Sequence, residues 1–262
     1  LPRFINLILP RYDIICHMSK KIIIGNWKMN PATGKEAEKW FSSIAKSLTA
    51  IKKTEVVVCA PFLYLERLAK IRTSKLKLGA QDSFVGGVGP FTGEISADML
   101  YGARVRFVIL GHSERRALGE TNELLNRKIK SALSAGLLPI VCVGEQERDA
   151  EHNYFEIVKT QILGCLQGVS KDAISKIIFA YEPVWSISTT ENRRDATAGD
   201  AREMVIFIRK VLSDISSPVT AHQTRIIYGG SVSGRDAEDF LKNGEVDGLL
   251  AGKASLDPKK FF

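Results

Sequence analysis

Residues 177–185 read IIFAYEPVW, an unbroken apolar run that meets a carboxylate, Glu182, where a proline stops the strand. In a parallel α/β protein the carboxyl ends of the strands open into the ligand crevice, so this glutamate is expected where substrates are held. Alone, it could equally be a strand-end acid in a structural ion pair. Other strand ends change that balance. IIIGNWKMN (22–30) leaves Asn26 and Lys28 just past an isoleucine-rich run, and VILGHSERR (108–116) leaves His112 in the same relative place. IIYGGSVSG (226–234) ends in a glycine pair and Ser231, and LLAGKASL (249–256) in a short turn at Gly252 and Lys253. A base, an amide, a cation, an imidazole and two anion-binding turns at one end of parallel strands specify a single site.

Eight short apolar runs recur along the chain, at 21–25, 55–60, 76–80, 107–111, 138–143, 177–181, 225–228 and 248–250. Most lack polar alternation, as expected of strands covered on both faces. The segments between them read as amphipathic helices. In residues 35–48, Trp40, Phe41, Ile44 and Leu48 share one side at helical spacing, which marks core packing. Eight strand and helix pairs with right-handed crossovers close into a (β/α)8 barrel of one domain. A doubly wound open sheet is the fallback, but no GxGxxG follows the first strand.

At 262 residues and 45% hydrophobic, the chain can bury a large core, and no segment has the roughly 18 apolar residues of a membrane span. The formal charge of +8 invites a nucleic-acid reading, yet Lys and Arg lie among acids on helical segments without an aromatic-interleaved stripe. Solvated helix faces, with mild steering of a small anion, fit better. Cys16, Cys59, Cys142 and Cys165 show no ligand spacing, so reduced thiols in a cytoplasmic protein are expected, with no metal. Residues 1–17 carry two prolines and a short apolar patch. Met18 reads as a start, residues 1–17 as a poorly ordered extension, and residues 18–262 as the barrel.

His112 precedes SERR, where Ser113 is expected to cap a helix and leave the imidazole near its first N–H groups. The positive dipole end there disfavours a second positive charge, so a neutral, donating ring is expected. Such a ring can polarise a carbonyl.

GNWKMN, FTGEIS (91–96), LGHSERR, CVGE (142–145), YEPVW and YGGSV stand in the order and roughly the spacing of triosephosphate isomerases, from about residue 21 to the C-terminus. The neutral histidine of that family is itself a standard example of a tuned catalytic group. The resemblance implies a TIM barrel without a cofactor. It further implies proton transfer between C1 and C2 of dihydroxyacetone phosphate and glyceraldehyde 3-phosphate through an enediolate, in glycolysis and gluconeogenesis. By the same resemblance, Glu182 is the general base and His112 the electrophile. Lys28 offsets developing charge, Asn26 is its polar neighbour, and Glu114 pairs with Lys28. Ser188, Ser231, Gly252 and Lys253 fall where the family grips phosphate, and Pro183, Val184 and Trp185 form the lid hinge.

Two departures stand out. The lid, usually close to AIGTGKTAT, here reads SISTTENRRDAT (186–197), about three residues longer and without glycines. Lys253 replaces a glycine usual in the last turn. The loop at 81–94 carries Phe84, Val85, Val88 and Phe91, an interface liability in a monomer. The resemblance makes it a homodimer loop, with Thr92 reaching the neighbouring active site. The alternatives are another phosphate-handling barrel enzyme, or a non-catalytic barrel that binds a phosphate ligand or a partner.

Overall fold

The computed structural model describes residues 20–51, 53–187 and 193–261. The readings made for residues 1–17 and for Ser188 lie outside these described residues. Strands β1 (Lys21–Asn26), β2 (Thr54–Ala60), β3 (Leu76–Ala80) and β4 (Phe107–Leu110) form the first half of the sheet. Strands β5 (Leu138–Val143), β6 (Ile178–Tyr181), β7 (Arg225–Tyr228) and β8 (Gly248–Ala251) form the second. Each pairs in parallel with the next, and β8 pairs with β1 to close the barrel. The expected (β/α)8 architecture is present, and the open sheet is excluded. β4 ends one residue sooner than its sequence suggests because Gly111, at φ +71°, turns the chain out of the strand.

The apolar strands serve two cores. Ile22 and Ile24, Val57 and Cys59, Phe107 and Ile109, Ile140 and Cys142, Ile178 and Ala180, Ile227 and Leu250 fill the barrel interior. Their neighbours of opposite parity, such as Val56, Val58, Val108, Val141 and Phe179, pack outward against the helices. Burial on both faces explains the missing polar alternation.

The helix Gly34–Ser47 shows how that outer layer forms. Thr33 caps it by accepting the Glu36 N–H at 3.3 Å, and Ala37, Phe41 and Ile44 are its buried residues. Each of the two larger side chains contributes about 1.5–3 kcal/mol by leaving water. Trp40 is half-buried and meets Trp27 edge to face at 5.6 Å, while Lys39 and Lys46 stay exposed.

A buried charge cluster anchors the loop that follows β3. Lys128 binds both Asp82 oxygens, at 2.7 and 2.9 Å, and Glu120 at 2.5 Å, with Arg115 completing the group. Lys128→Met would strand the carboxylates of Asp82 and Glu120. A stability loss of about 3–5 kcal/mol is expected, read as a lower denaturant midpoint, because an uncompensated buried charge is costly. An unchanged midpoint would show that the cluster anchors nothing.

Candidate active site

Barrel parity delivers two of the polar groups. In β1 the inward series Ile22, Ile24 continues to Asn26, and in β6 the series Ile178, Ala180 continues to Glu182. Both side chains therefore sit at the barrel mouth, 5% and 2% exposed. Inward positions on β5 and β7 continue to glycines. A Cβ on Gly229 would lie 2.8 Å from Glu182 Cγ, and one on Gly144 would lie 1.9 Å from the Glu182 carbonyl oxygen. These glycines are what lets the glutamate occupy its place. Gly144→Ala is expected to lower both the melting temperature and kcat, since the clash is with backbone and cannot be relieved by a rotamer. A variant that keeps wild-type values for both would show that the β5 end does not position Glu182.

His112 arrives by a different route. The turn at Gly111 breaks strand parity and swings the imidazole over the mouth, where His112 Nε2 stands 3.4 Å from Glu182 Oε1. The contact lacks hydrogen-bond alignment, since Oε1 has no bonded partner among the described residues. Glu182 Oε2 accepts the Ser113 N–H at 3.1 Å. The structure corrects the expected cap: His112 itself caps the helix Ser113–Ala117, its Nδ1 accepting the Glu114 N–H at 3.2 Å. An accepting Nδ1 carries no proton, which assigns the proton of the ring to Nε2 and leaves the ring neutral. His112 Nδ1 also lies 3.7 Å from Glu114 Oε2, but the committed Nδ1 lone pair makes this no ion pair.

Lys28 sits in the left-handed region at φ +51°, a conformation costing a non-glycine residue about 1–3 kcal/mol. Its backbone is held from both sides: Asn26 Oδ1 accepts its N–H at 3.0 Å, and Gln81 Nε2 donates to its carbonyl at 2.9 Å. The ammonium meets Glu114 at 2.5 Å. Gln81 also donates to the Cys59 carbonyl at 3.1 Å, tying the ends of β1, β2 and β3 together.

A second polar group braces the segment that follows β6. Fully buried Glu145 accepts on Oε1 from the Tyr181 hydroxyl at 2.7 Å and the Trp185 indole at 2.8 Å, and its carbonyl accepts the Val184 N–H at 2.9 Å. Arg148 extends this group to Tyr181, Asp200 and Glu203. Pro183, Val184 and Trp185 are thus packed, and Arg194 stacks on the Trp185 ring at 4.3 Å. Just after Trp185, the Ser186 carbonyl accepts the Ser231 N–H at 3.3 Å, tying the segment after β6 to the glycine turn after β7.

Asn26, Lys28, His112, Glu182 and Ser231 border one cavity of about 870 Å³. Asn26, Lys28, His112 and Glu182 line one part of it, and Ser231, Gly252 and Lys253 another. A Cβ on Gly252 would touch Lys28 Cε at 3.4 Å, so the last turn and the cation are neighbours. Glu114 is half-exposed beside Lys28, whereas Thr92 lies on the exposed loop. Cys59 and Cys142 line the barrel below, and burial holds both thiols protonated far above their usual range, for Cys142 with the Glu182 charge adding to it. Neither is available as a nucleophile at neutral pH. Among the described residues no cluster of His, Cys, Asp or Glu could hold a metal ion.

Gln81, Gly144 and the Glu145–Arg148 pair had no role assigned from sequence. Gln81 and Gly144 directly follow apolar runs, but what they touch lies on neighbouring strands, and Glu145 and Arg148 stand further along the loop.

A buried carboxylate and a neutral imidazole at the mouth of a (β/α)8 barrel, beside a cation and glycine turns, define an enzyme equipped to move protons on a small anionic molecule. A family model described as triosephosphate isomerase matches residues 21–262. The triosephosphate isomerase of Dictyoglomus thermophilum is 41% identical over 248 residues, covering 94% of this chain and 98% of that protein. That of Aquifex aeolicus is 42% identical over 245 residues, covering 92% and 97%. The crystal structure of triosephosphate isomerase from Bartonella henselae superposes with a TM-score of 0.81 at 33% identity, covering 92% of this chain and 96% of that one. The chain belongs to the triosephosphate isomerase family. It is an isomerase that interconverts the two triose phosphates.

Proposed function

We propose that Glu182 moves the proton between C1 and C2 of the substrate while His112 Nε2–H polarises the adjacent oxygen and Lys28 offsets the enediolate charge. The observation that carries this reading is the approach of Glu182 Oε1 to His112 Nε2 at 3.4 Å inside one cavity. A carboxylate oxygen without a bonded partner can take a proton from carbon, and a ring whose only proton faces the same space can donate to oxygen. Asn26 and Gln81 hold the Lys28 backbone, and Glu114 holds its ammonium. The substrate phosphate is received at Ser231, Gly252 and the backbone N–H of Lys253, where glycine allows close approach. No cofactor takes part. A coupled assay on glyceraldehyde 3-phosphate tests this directly: turnover lost with Lys28→Met is the expected outcome, and full turnover in that variant would remove the cation from the mechanism.

The same reading makes the protein a cytoplasmic homodimer without nucleic-acid or membrane partners. Support comes from the loop after β3, where Val88 is 83% exposed, Phe91 packs on Phe84 at 4.6 Å, and Thr92 lies exposed in a turn. Free, buried Cys59, Cys142 and Cys165 agree with a reducing compartment. Val88→Asp is expected to shift sedimentation from dimer to monomer and to make activity fall on dilution. A fully active wild-type monomer would refute the assembly.

A further inference from the structure

The cavity is larger than a three-carbon phosphate requires, its 870 Å³ lying in the range that suits drug-sized ligands. Besides Ser231 and Gly252, its lining includes Arg235, Asp257, Lys259 and Lys260. The charges of this lining are unbalanced. Among the described residues, the side chains of Arg235 and Lys259 make no hydrogen bond or ion pair. Lys260 reaches Asp257 only at 4.0 Å and is 78% exposed.

The acids nearby are already engaged. Asp236, next to Arg235 in the chain, accepts both the N–H and the hydroxyl of Ser233 on Oδ1, at 2.6 and 3.1 Å. Asp257 accepts the Lys259 N–H at 2.9 Å. Among the described residues that line the cavity, Lys28, Arg235, Lys253, Lys259 and Lys260 are accompanied only by the acids Glu182 and Asp257, and Lys28 already has Glu114. Low-dielectric walls lined by one sign of charge focus the field on a counter-charge. Lys28 serves the reaction, and Arg235, Lys259 and Lys260 have no such task.

We propose that Arg235, Lys259 and Lys260 form a second anion subsite, which acts with the inner phosphate turn to take a molecule bearing two phosphoryl groups. The proposal rests on the inner turn being the substrate phosphate site. A ligand spanning both places one phosphoryl group where the substrate's would sit, so it inhibits competitively. Its second group binds as an intramolecular event.

Inhibition of the full chain by inorganic phosphate and by inorganic pyrophosphate, at constant ionic strength, tests this. Pyrophosphate should inhibit competitively with a constant at least about 10-fold below that of phosphate. In Arg235→Ala/Lys259→Ala that advantage should shrink to about threefold or less, with kcat and phosphate inhibition within about twofold of wild type. Equal inhibition by the two anions in the wild type, or equal weakening of both in the double variant, would overturn the subsite. So would an advantage that survives the double substitution. Failure of the inner-site reading looks different: pyrophosphate would inhibit without competing with substrate. Calorimetric titration of pyrophosphate into wild type and double variant then decides the subsite independently, a loss of at least about 10-fold in affinity supporting it and equal affinities rejecting it.

Discussion

Glu182→Asp lowers kcat by about 10²-fold or more in the expected outcome, with the barrel intact, because it withdraws the carboxylate by one methylene from the reacting carbon. The size follows from what the residue does. A positioned general base contributes about 10²–10⁴-fold, and a displacement near 1 Å already forfeits much of it. The position itself is built by the backbone, through the Glu182 N–H bond to the Val143 carbonyl at 2.8 Å and the two glycines that clear its path. Aspartate keeps all of these, and the variant loses only the side-chain bond to Ser113. The melting temperature is therefore expected to move little while turnover collapses. Normal turnover in a folded Glu182→Asp protein would defeat the assignment.

His112→Gln is expected to reduce kcat by about 10²–10³-fold, the range seen when one preorganised donor to a developing oxyanion is removed. The imidazole is preorganised by the Glu114 N–H on Nδ1, which fixes the tautomer and aims Nε2–H at the mouth. A glutamine amide is longer and floppier, and its placement is not set by that cap. Losing the cap costs about 1 kcal/mol of stability, far too little to account for such a kinetic loss. Nitrogen-15 spectra of the wild type at neutral pH should show an unprotonated Nδ1 and a protonated Nε2. The reverse tautomer would contradict the proposed donor.

The fold was almost fully legible because parallel strands buried on both faces leave continuous apolar runs, and all eight appear in the structure with ends shifted by at most one residue. The site was legible wherever a polar residue directly follows such a run in inward parity, as Asn26 and Glu182 do. His112 was legible as a position, but not as a cap: the sequence offers Ser113, a better capping type, and only the turn at Gly111 reveals that the imidazole takes the bond. Gly144 was silent for another reason. Its importance lies in a carbonyl from a neighbouring strand, a contact that no local pattern encodes. The same holds for Gln81, whose amide joins residues 53 and 22 positions away in the chain. The altered lid stays beyond such arguments, since its centre, residues 188–192, lies outside the described residues.

The central claim, a carbon-bound hydrogen removed by Glu182, is tested most directly by following deuterium uptake from heavy water into C1 of dihydroxyacetone phosphate by proton NMR. Wild type should wash the label in at a rate comparable with turnover, and Glu182→Asp should lose exchange and isomerisation by the same factor. Exchange at the wild-type rate in that variant would place the base elsewhere in the cavity.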